Sequence, residues 1–286
     1  MSDDTIIGAP FEANRRLRSI IANALEPALP SDDEVASRLF KIRTADSSGE
    51  RTSASILIDR MYSWRGYQAD LLPDDQSLDR ITLVASEQDV TIGTMSVGFD
   101  GPERLMVEDF FPAEVAAFRA SGSRICEFTK LALDNDLSTK QVLASLFHVA
   151  YIYAHRIRGF DRLMIEVNPR HVRYYQKMLG FEVMGPERLN RRVNAPAVLL
   201  CLRFAHTQEQ IGKFGGKPEL ASTQRSLYPY AFSVAQEAGI VARLKRPSAA
   251  MGTYSRGSVR SLDSPEVQKA TKGSFTNNPT TSAWSQ

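Results

Sequence analysis

The stretch "LDNDLSTKQVLASLF", Leu133 to Phe147, is where a strand runs out and a long helix begins. Its turn contains no glycine and carries two acids, Asp134 and Asp136. Upstream, "ICEFTKLALD" (Ile125–Asp134) alternates like a strand. Downstream, the spacing predicts a helix over Thr139–Arg158, with Val142, Leu146, Val149, Tyr153 and Ile157 on one face. "RLMIEVN" (Arg162–Asn168) reads as the next strand. A helix over Pro169–Leu179 follows, with Asn168 as N-cap, Pro169 at its first position and Gly180 as its stop. Strand, helix and strand in this order make one parallel crossover.

Further out, Arg38–Ala45 reads as a strand and Ala54–Tyr67 as a helix. Ile81–Ser86 and Val90–Phe99 form a hairpin closed by a polar turn. Residues 100–123 read as a long connection, and "FEVMG" and Ala197–Phe204 complete the sheet. The fold class is α/β, with a mixed (α+β) sheet. Residues 1–30 are expected to hold an N-terminal helix, with Phe11, Leu17, Ile20, Ile21 and Leu25 as its stripe. The main domain is expected over 31–205, a helical appendage over 206–245 and a disordered tail over 246–286, rich in Ser, Thr, Gly, Asn and Pro.

The 286 residues carry a net charge of +2, too little to argue for nucleic acid. The start has no apolar core of a secretory signal, and no run reaches the roughly 18 apolar residues of a membrane span. A cytoplasmic location is expected. The basic helix over 11–25 could touch a membrane, but packing on the domain is the favoured reading. Cys126 and Cys201 sit in apolar runs and are expected to be buried thiols. The four histidines lack metal-ligand spacing, so no metal is expected.

"NPRHVRYYQKMLGFE" (Asn168–Glu182) resembles the fourth-helix motif of the GCN5-related N-acetyltransferase (GNAT) fold. Asn168, Tyr175, Gly180 and Phe181 carry the match, with one extra residue before the glycine. The resemblance implies a GNAT-like acyl-CoA N-acyltransferase fold. In that family a glycine-rich turn before the third helix aims backbone N–H groups at the pyrophosphate of coenzyme A. Here side chains would block that approach and Asp134 and Asp136 would repel phosphate, unless the two acids merely cap the helix. Acyl-CoA is therefore the less favoured donor.

The chain more closely resembles the N-acyl amino acid synthases of the FeeM type, related to the acyl-homoserine-lactone synthases. The likeness rests on "YSWRGY" (Tyr62–Tyr67), "CEFTKLALD" (Cys126–Asp134), "LASLFHVAYIYA" (Leu143–Ala154), "IEVNPRHVRYYQKMLGFE" (Ile165–Glu182) and "RVNAPAVLL" (Arg192–Leu200), and it spans roughly residues 54–204. The early Arg, Trp and paired-acid pattern of the lactone synthases is missing. The resemblance implies transfer of a long-chain fatty acyl group from acyl carrier protein to the α-amine of an amino acid, with no other cofactor. The alternatives are an acyl-CoA-dependent N-acyltransferase and an inactive lipid- or protein-binding module.

Amine attack on a thioester needs a base. By alternation Ile125, Glu127, Thr129, Leu131 and Leu133 share a face, so Glu127 is a carboxylate in apolar company. Burial would raise its pKa and make it the base, unless it is held in a structural ion pair. Lys130 falls on the opposite face, near the gap that GNAT sheets open between the fourth and fifth strands. N–H groups of residues 127–131 freed there could polarise the thioester carbonyl. Tyr175 is the candidate acid for the leaving thiolate, or a core tyrosine. Asn168 borders the same region but is first a helix cap. Arg65 could clamp the acceptor carboxylate, with Tyr62, Trp64 and Tyr67 walling an apolar or aromatic side-chain pocket. Thr129, beside Glu127, joins the substrate-binding set. Leu105–Phe111, Phe147 and Val149 could line the acyl slot. Arg156, Arg158, Arg162, Arg170 and Arg173, with Lys177, Arg188, Arg191 and Arg192, are the expected docking surface for the acidic carrier protein, or else a solvated basic face.

Overall fold

A computed structural model describes residues 5–11, 38–68, 72, 79–134 and 140–245. Within them a nine-stranded sheet runs β1 (Ile7–Phe11), β2 (Arg38–Thr44), β3 (Arg80–Glu87), β4 (Val90–Phe99), β5 (Ile125–Leu133), β6 (Arg162–Val167), β9 (Ala195–Arg203), β7 (Glu182–Val183). Strand β8 (Arg188–Asn190) pairs with another part of β9. Every pairing is antiparallel except β5–β6, the expected crossover. Strand β1 was not anticipated. Phe11, expected to open an N-terminal helix over residues 11–25, ends β1 instead; residues 12–25 of that helix, the Asn135–Thr139 turn with Asp136, and the tail from 246 lie outside the described residues.

Helix α1 (Ser48–Ser63) starts earlier than its apolar pattern suggests. Ser47 and Glu50 form a reciprocal capping box, Ser47 Oγ accepting from the Glu50 N–H at 3.2 Å and Glu50 accepting from the Ser47 N–H at 3.0 Å. The connection over 100–123 holds a 3-10 turn (Met106–Asp109) and helix α2 (Pro112–Ala120), opened by Pro112 in its first turn. Helix α4 (Pro169–Leu179) has its expected caps: Asn168 accepts from the Arg170 N–H at 3.2 Å, and Gly180 closes the helix with φ 82°. A Cβ at Gly180 would also come within 2.5 Å of His206 Nε2.

Helix α3 (Lys140–Tyr151) runs on as a wider π-type turn over Ile152–Ile157. It is buried on nearly every side, not on one stripe: Ala144, Phe147, His148 and Tyr151 are covered as fully as Val142 and Leu146. One flank packs on the sheet. The other is covered by α5 (Phe204–Phe214), a 3-10 turn (Tyr228–Tyr230) and α6 (Val234–Leu244). His148 pins that cover. Its Nδ1 accepts from the Phe232 N–H at 3.0 Å, so its Nε2–H donates to Glu237 at 3.1 Å. Arg156 holds the other Glu237 oxygen at 2.8 Å.

Cys126 and Cys201 are buried free thiols, as expected. No described helix is long and apolar enough to cross a membrane.

Candidate active site

The parallel pairing of β5 with β6 stops at Glu127↔Met164. Beyond it β5 continues to Leu133 and β6 to Val167, so the two strands part. N–H groups of β5 that point away from β4 there face a cleft instead of a neighbouring strand. The expected gap is thus present, between β5 and β6.

Strand β5 is also irregular. Its register against β4 shifts opposite Met95, and Lys130 has φ 52°, a left-handed value costly for any side chain but glycine. One extra residue reverses the alternation. Phe128 belongs to the α3 side, and so do Leu131 and Leu133 past the bulge, whereas Ala132 packs with α1. The expectation that Leu131 and Leu133 share the face of Glu127 therefore fails, because simple alternation does not survive the bulge.

A cavity of about 450 Å³ passes through the gap and is lined from both faces of the sheet. Leu143 and Phe147 of α3 and Phe128 wall one end; Met106, Glu166, Asn190 and Arg192 wall the other. Tyr62, Arg65, Tyr67, Thr129, Lys130, Asn168 and Tyr175 all reach it, whereas Trp64, expected to wall the same pocket, is exposed and does not.

Glu127 does not reach it. Its carboxylate is 1% exposed, accepts from Arg80 at 2.9 Å through one oxygen, and from the Val107 N–H at 3.0 Å through the other. Arg80 also donates to Thr129 at 3.1 Å. The structural ion pair weighed against the base is what the structure holds. Gly98 makes room for it, since a Cβ there would come within 2.8 Å of the Glu127 side chain.

The carboxylate that faces the cavity is Glu166, on β6 just past the point where the strands part. Its Oε2 accepts from Arg192 at 2.5 Å and from Asn190 at 3.2 Å, while Oε1 is buried with no hydrogen-bond partner. Burial pushes its pKa up to about 7; Arg192 pulls down, and the charges of Glu127 and Asp109 push up. Arg192 is itself held by the Met106 carbonyl at 2.8 Å and by Asp109. A carboxyl poised near neutrality with one oxygen lacking a hydrogen-bond partner is suited to taking a proton from an amine. The signal available in the sequence was the acid within the apolar strand "RLMIEVN".

At the mouth, the Tyr67 hydroxyl accepts from Asn168 Nδ2 and from Arg170, both at 3.1 Å, tying the end of α1 to the start of α4. Both acceptor positions of that oxygen are taken, leaving its proton for another partner. Tyr175 packs edge-on against Phe147 and Phe181, and burial first, then the neighbouring tyrosine hydroxyls, push its pKa well up, so it stays a proton donor. Arg65 stacks on Trp64 with its guanidinium 5.3 Å from the ring centre and donates to the Met61 carbonyl at 2.8 Å. Asp134 is 8% exposed and paired with Arg60 of α1.

Two other expectations change. Of the proposed acyl slot, Met106 and Phe147 line the cavity, but Val149 is core, and Leu105, Val107 and Phe111 form a separate cluster with Ile125 and Met164. The basic residues do not form one patch. Arg156 is paired with Glu237, Arg158 lies over Phe99 at 4.1 Å, and Arg162 donates to Ser123. The length of β6, about 20 Å, separates that end from Arg170 and Arg173.

A mixed sheet parted at its one parallel pairing, with a cavity through the gap, is the GNAT-like fold, and the enzyme is an N-acyltransferase. The family model of the N-acyl amino acid synthase FeeM matches residues 53–203. The chain belongs to that family. The structure of FeeM, an N-acyl amino acid synthase from uncultured soil microbes, is similar over 58% of this chain and 90% of that one, at 26% identity and a TM-score of 0.52. The acyl-homoserine-lactone synthase LasI matches over 58% and 90% at 13% identity and a TM-score of 0.45. A GNAT-family acetyltransferase from Streptococcus pneumoniae matches over 57% and 98% at 18% identity and a TM-score of 0.42. A search of the curated proteins found no match.

Proposed function

We propose that this N-acyltransferase moves a long-chain fatty acyl group from acyl carrier protein to the α-amine of an amino acid. The observation that carries the proposal is the cavity through the strand gap. It joins an apolar arm (Met95, Phe128, Leu143, Phe147), the freed edge of β5, and Glu166 with its unpartnered oxygen.

The acyl chain lies in the apolar arm, with the thioester carbonyl at the β5 edge, where N–H groups stabilise the charge that develops on oxygen. Glu166 takes a proton from the amine, the nitrogen adds to the carbonyl carbon, and the C–S bond breaks as the C–N bond forms. The Tyr175 hydroxyl donates a hydrogen bond to the departing thiolate, which takes its proton from solvent as Glu166 gives its own back to solvent. Arg65 faces the acceptor carboxylate, and Tyr62, Tyr67 and Tyr174 favour an apolar or aromatic side chain. For the donor, the pair Asp134–Arg60 puts a fixed carboxylate at the start of the turn where a pyrophosphate would have to sit. Arg170 and Arg173, with Lys177, present cations on the exposed side of α4 beside the mouth, the side on which an acidic carrier would dock.

The test is a single incubation of purified protein with a mixture of amino acids, using one acyl chain on either carrier protein or coenzyme A, read by mass spectrometry. N-acyl amino acid from the carrier-bound donor is the expected result. Product from acyl-CoA alone would replace the donor. A folded protein that yields no product from either would leave the binding-module reading.

A further inference from the structure

Beyond the main cavity lies a second void of about 30 Å³. The two share Phe128 and Phe147 as wall residues, and those rings stand 5.9 Å apart, so they form the partition. Helix α3 crosses it: Leu143 and Phe147 face the main cavity, and Ala144, Phe147 and Tyr151 face the void. The far wall is Ile211, Leu227, Tyr228 and Ala231, all beyond residue 203, where the family match ends. The lining is mostly apolar; His148 and the hydroxyl-bearing Tyr151, Thr207 and Tyr228 also line it, and the Tyr151 hydroxyl is buried without a hydrogen-bond partner.

We propose that this void receives the methyl end of the acyl chain, and that the segment after Arg203 sets the longest chain the enzyme accepts. The inference rests on the reading above, in which the main cavity holds the acyl group. A chain whose carbonyl lies at the β5 edge has one apolar way inward, along α3 toward the two rings. Protein interiors are close-packed, so a gap at that point is a place where a chain end restores contacts that the walls lack. Its volume is about one water's share of liquid. It therefore admits a terminal carbon unit after a small turn of the Phe147 ring and no more. The polar groups of His148, Tyr151, Thr207 and Tyr228 end the apolar lining, and hydrocarbon pressed on them would gain nothing.

The test gives the full-length enzyme an equimolar ladder of saturated acyl-carrier-protein donors differing by two carbons, with one amino acid, and reads product lengths by mass spectrometry. Ala231→Leu and Ala144→Leu fill the void and should move the distribution to shorter chains. Phe147→Ala removes the partition and should move it to longer ones. Thermal melts establish that each variant is folded, and an unmoved distribution in folded variants overturns the subsite. Where a filling variant does not fold, the wild-type ladder decides: kcat/KM should drop about tenfold or more at the first chain too long for the void, and a smooth decline overturns the inference. Absence of any N-acyl product from wild type would overturn the proposed function instead.

Discussion

Glu127 and Glu166 lie on the same side of the sheet and have opposite environments. Glu127 has both oxygens satisfied and no access to the cavity. Replacing it with Gln should act through the fold, costing about 3 kcal/mol or more in urea unfolding, because the Arg80 charge loses its buried partner. Glu166→Gln should leave a folded enzyme with kcat lowered about 10² to 10⁴-fold. The wild-type rate should climb as pH rises through about 7, as the Glu166 carboxyl loses its proton, and the variant should lack that limb. An equal pH profile in the two enzymes would remove Glu166 from the proton path. Alternation put Glu127 on this face, and the structure holds it in the ion pair with Arg80, away from the cavity. Alternation carries no information about Arg80, 47 residues away in the chain, nor about where two strands part.

At the scale of elements, β5 shows what a period-two pattern hides. "ICEFTKLALD" looks regular, yet the extra residue at Lys130 reverses the faces after it. The caps of α4 were legible because Asn168, Pro169 and Gly180 act locally, within the helix they bound. The cap of α1 is equally local, set by Ser47 and Glu50, but lies ahead of the apolar spacing that begins near Ala54. The burial of α3 on its second flank depends on segments more than 50 residues later in the chain, which no local pattern reports. That flank should be acid-sensitive. Burial lowers the His148 pKa despite Glu237, so the unfolded chain, with a pKa near 6.5, binds the proton more readily. The stability this contact contributes is complete above about pH 6.5 and is lost as pH falls toward the lower folded value. Melting temperature should drop between pH 7.5 and 5.5, and His148→Gln should melt lower at pH 7.5 with a shallower drop. Parallel curves would show that other groups set the acid limit.

For the whole molecule, the family core and the segment after it are one packing unit. Ending the chain at Arg203 uncovers Ala144, Phe147 and Tyr151 on α3, and the truncated protein should aggregate or bind a hydrophobic dye where the full chain does not. The surface makes a second whole-molecule prediction. On the docking proposed above, carrier-dependent turnover should weaken with salt, since Arg170, Arg173 and Lys177 are exposed. Arg173→Glu with Lys177→Glu should raise KM for the acyl carrier about tenfold with kcat unchanged, and Arg158→Glu at the far end should not. Equal effects at the two ends would mean that docking is not confined to the mouth.

The raised pKa of Glu166 has a consequence for how this chain can change by selection. Between its ordinary value near 4.5 and about 7, the folded form holds a proton that the unfolded form releases. Stability from this group is therefore complete below about 4.5 and lost as pH rises through 7. In alkaline buffer a neutral residue there would make a sturdier protein, with Arg192 still anchored by Asp109 and the Met106 carbonyl. A library screened above pH 7 for heat tolerance alone would collect replacements at position 166, and with Glu166 as the base proposed above its hardiest members would be the ones that no longer acylate.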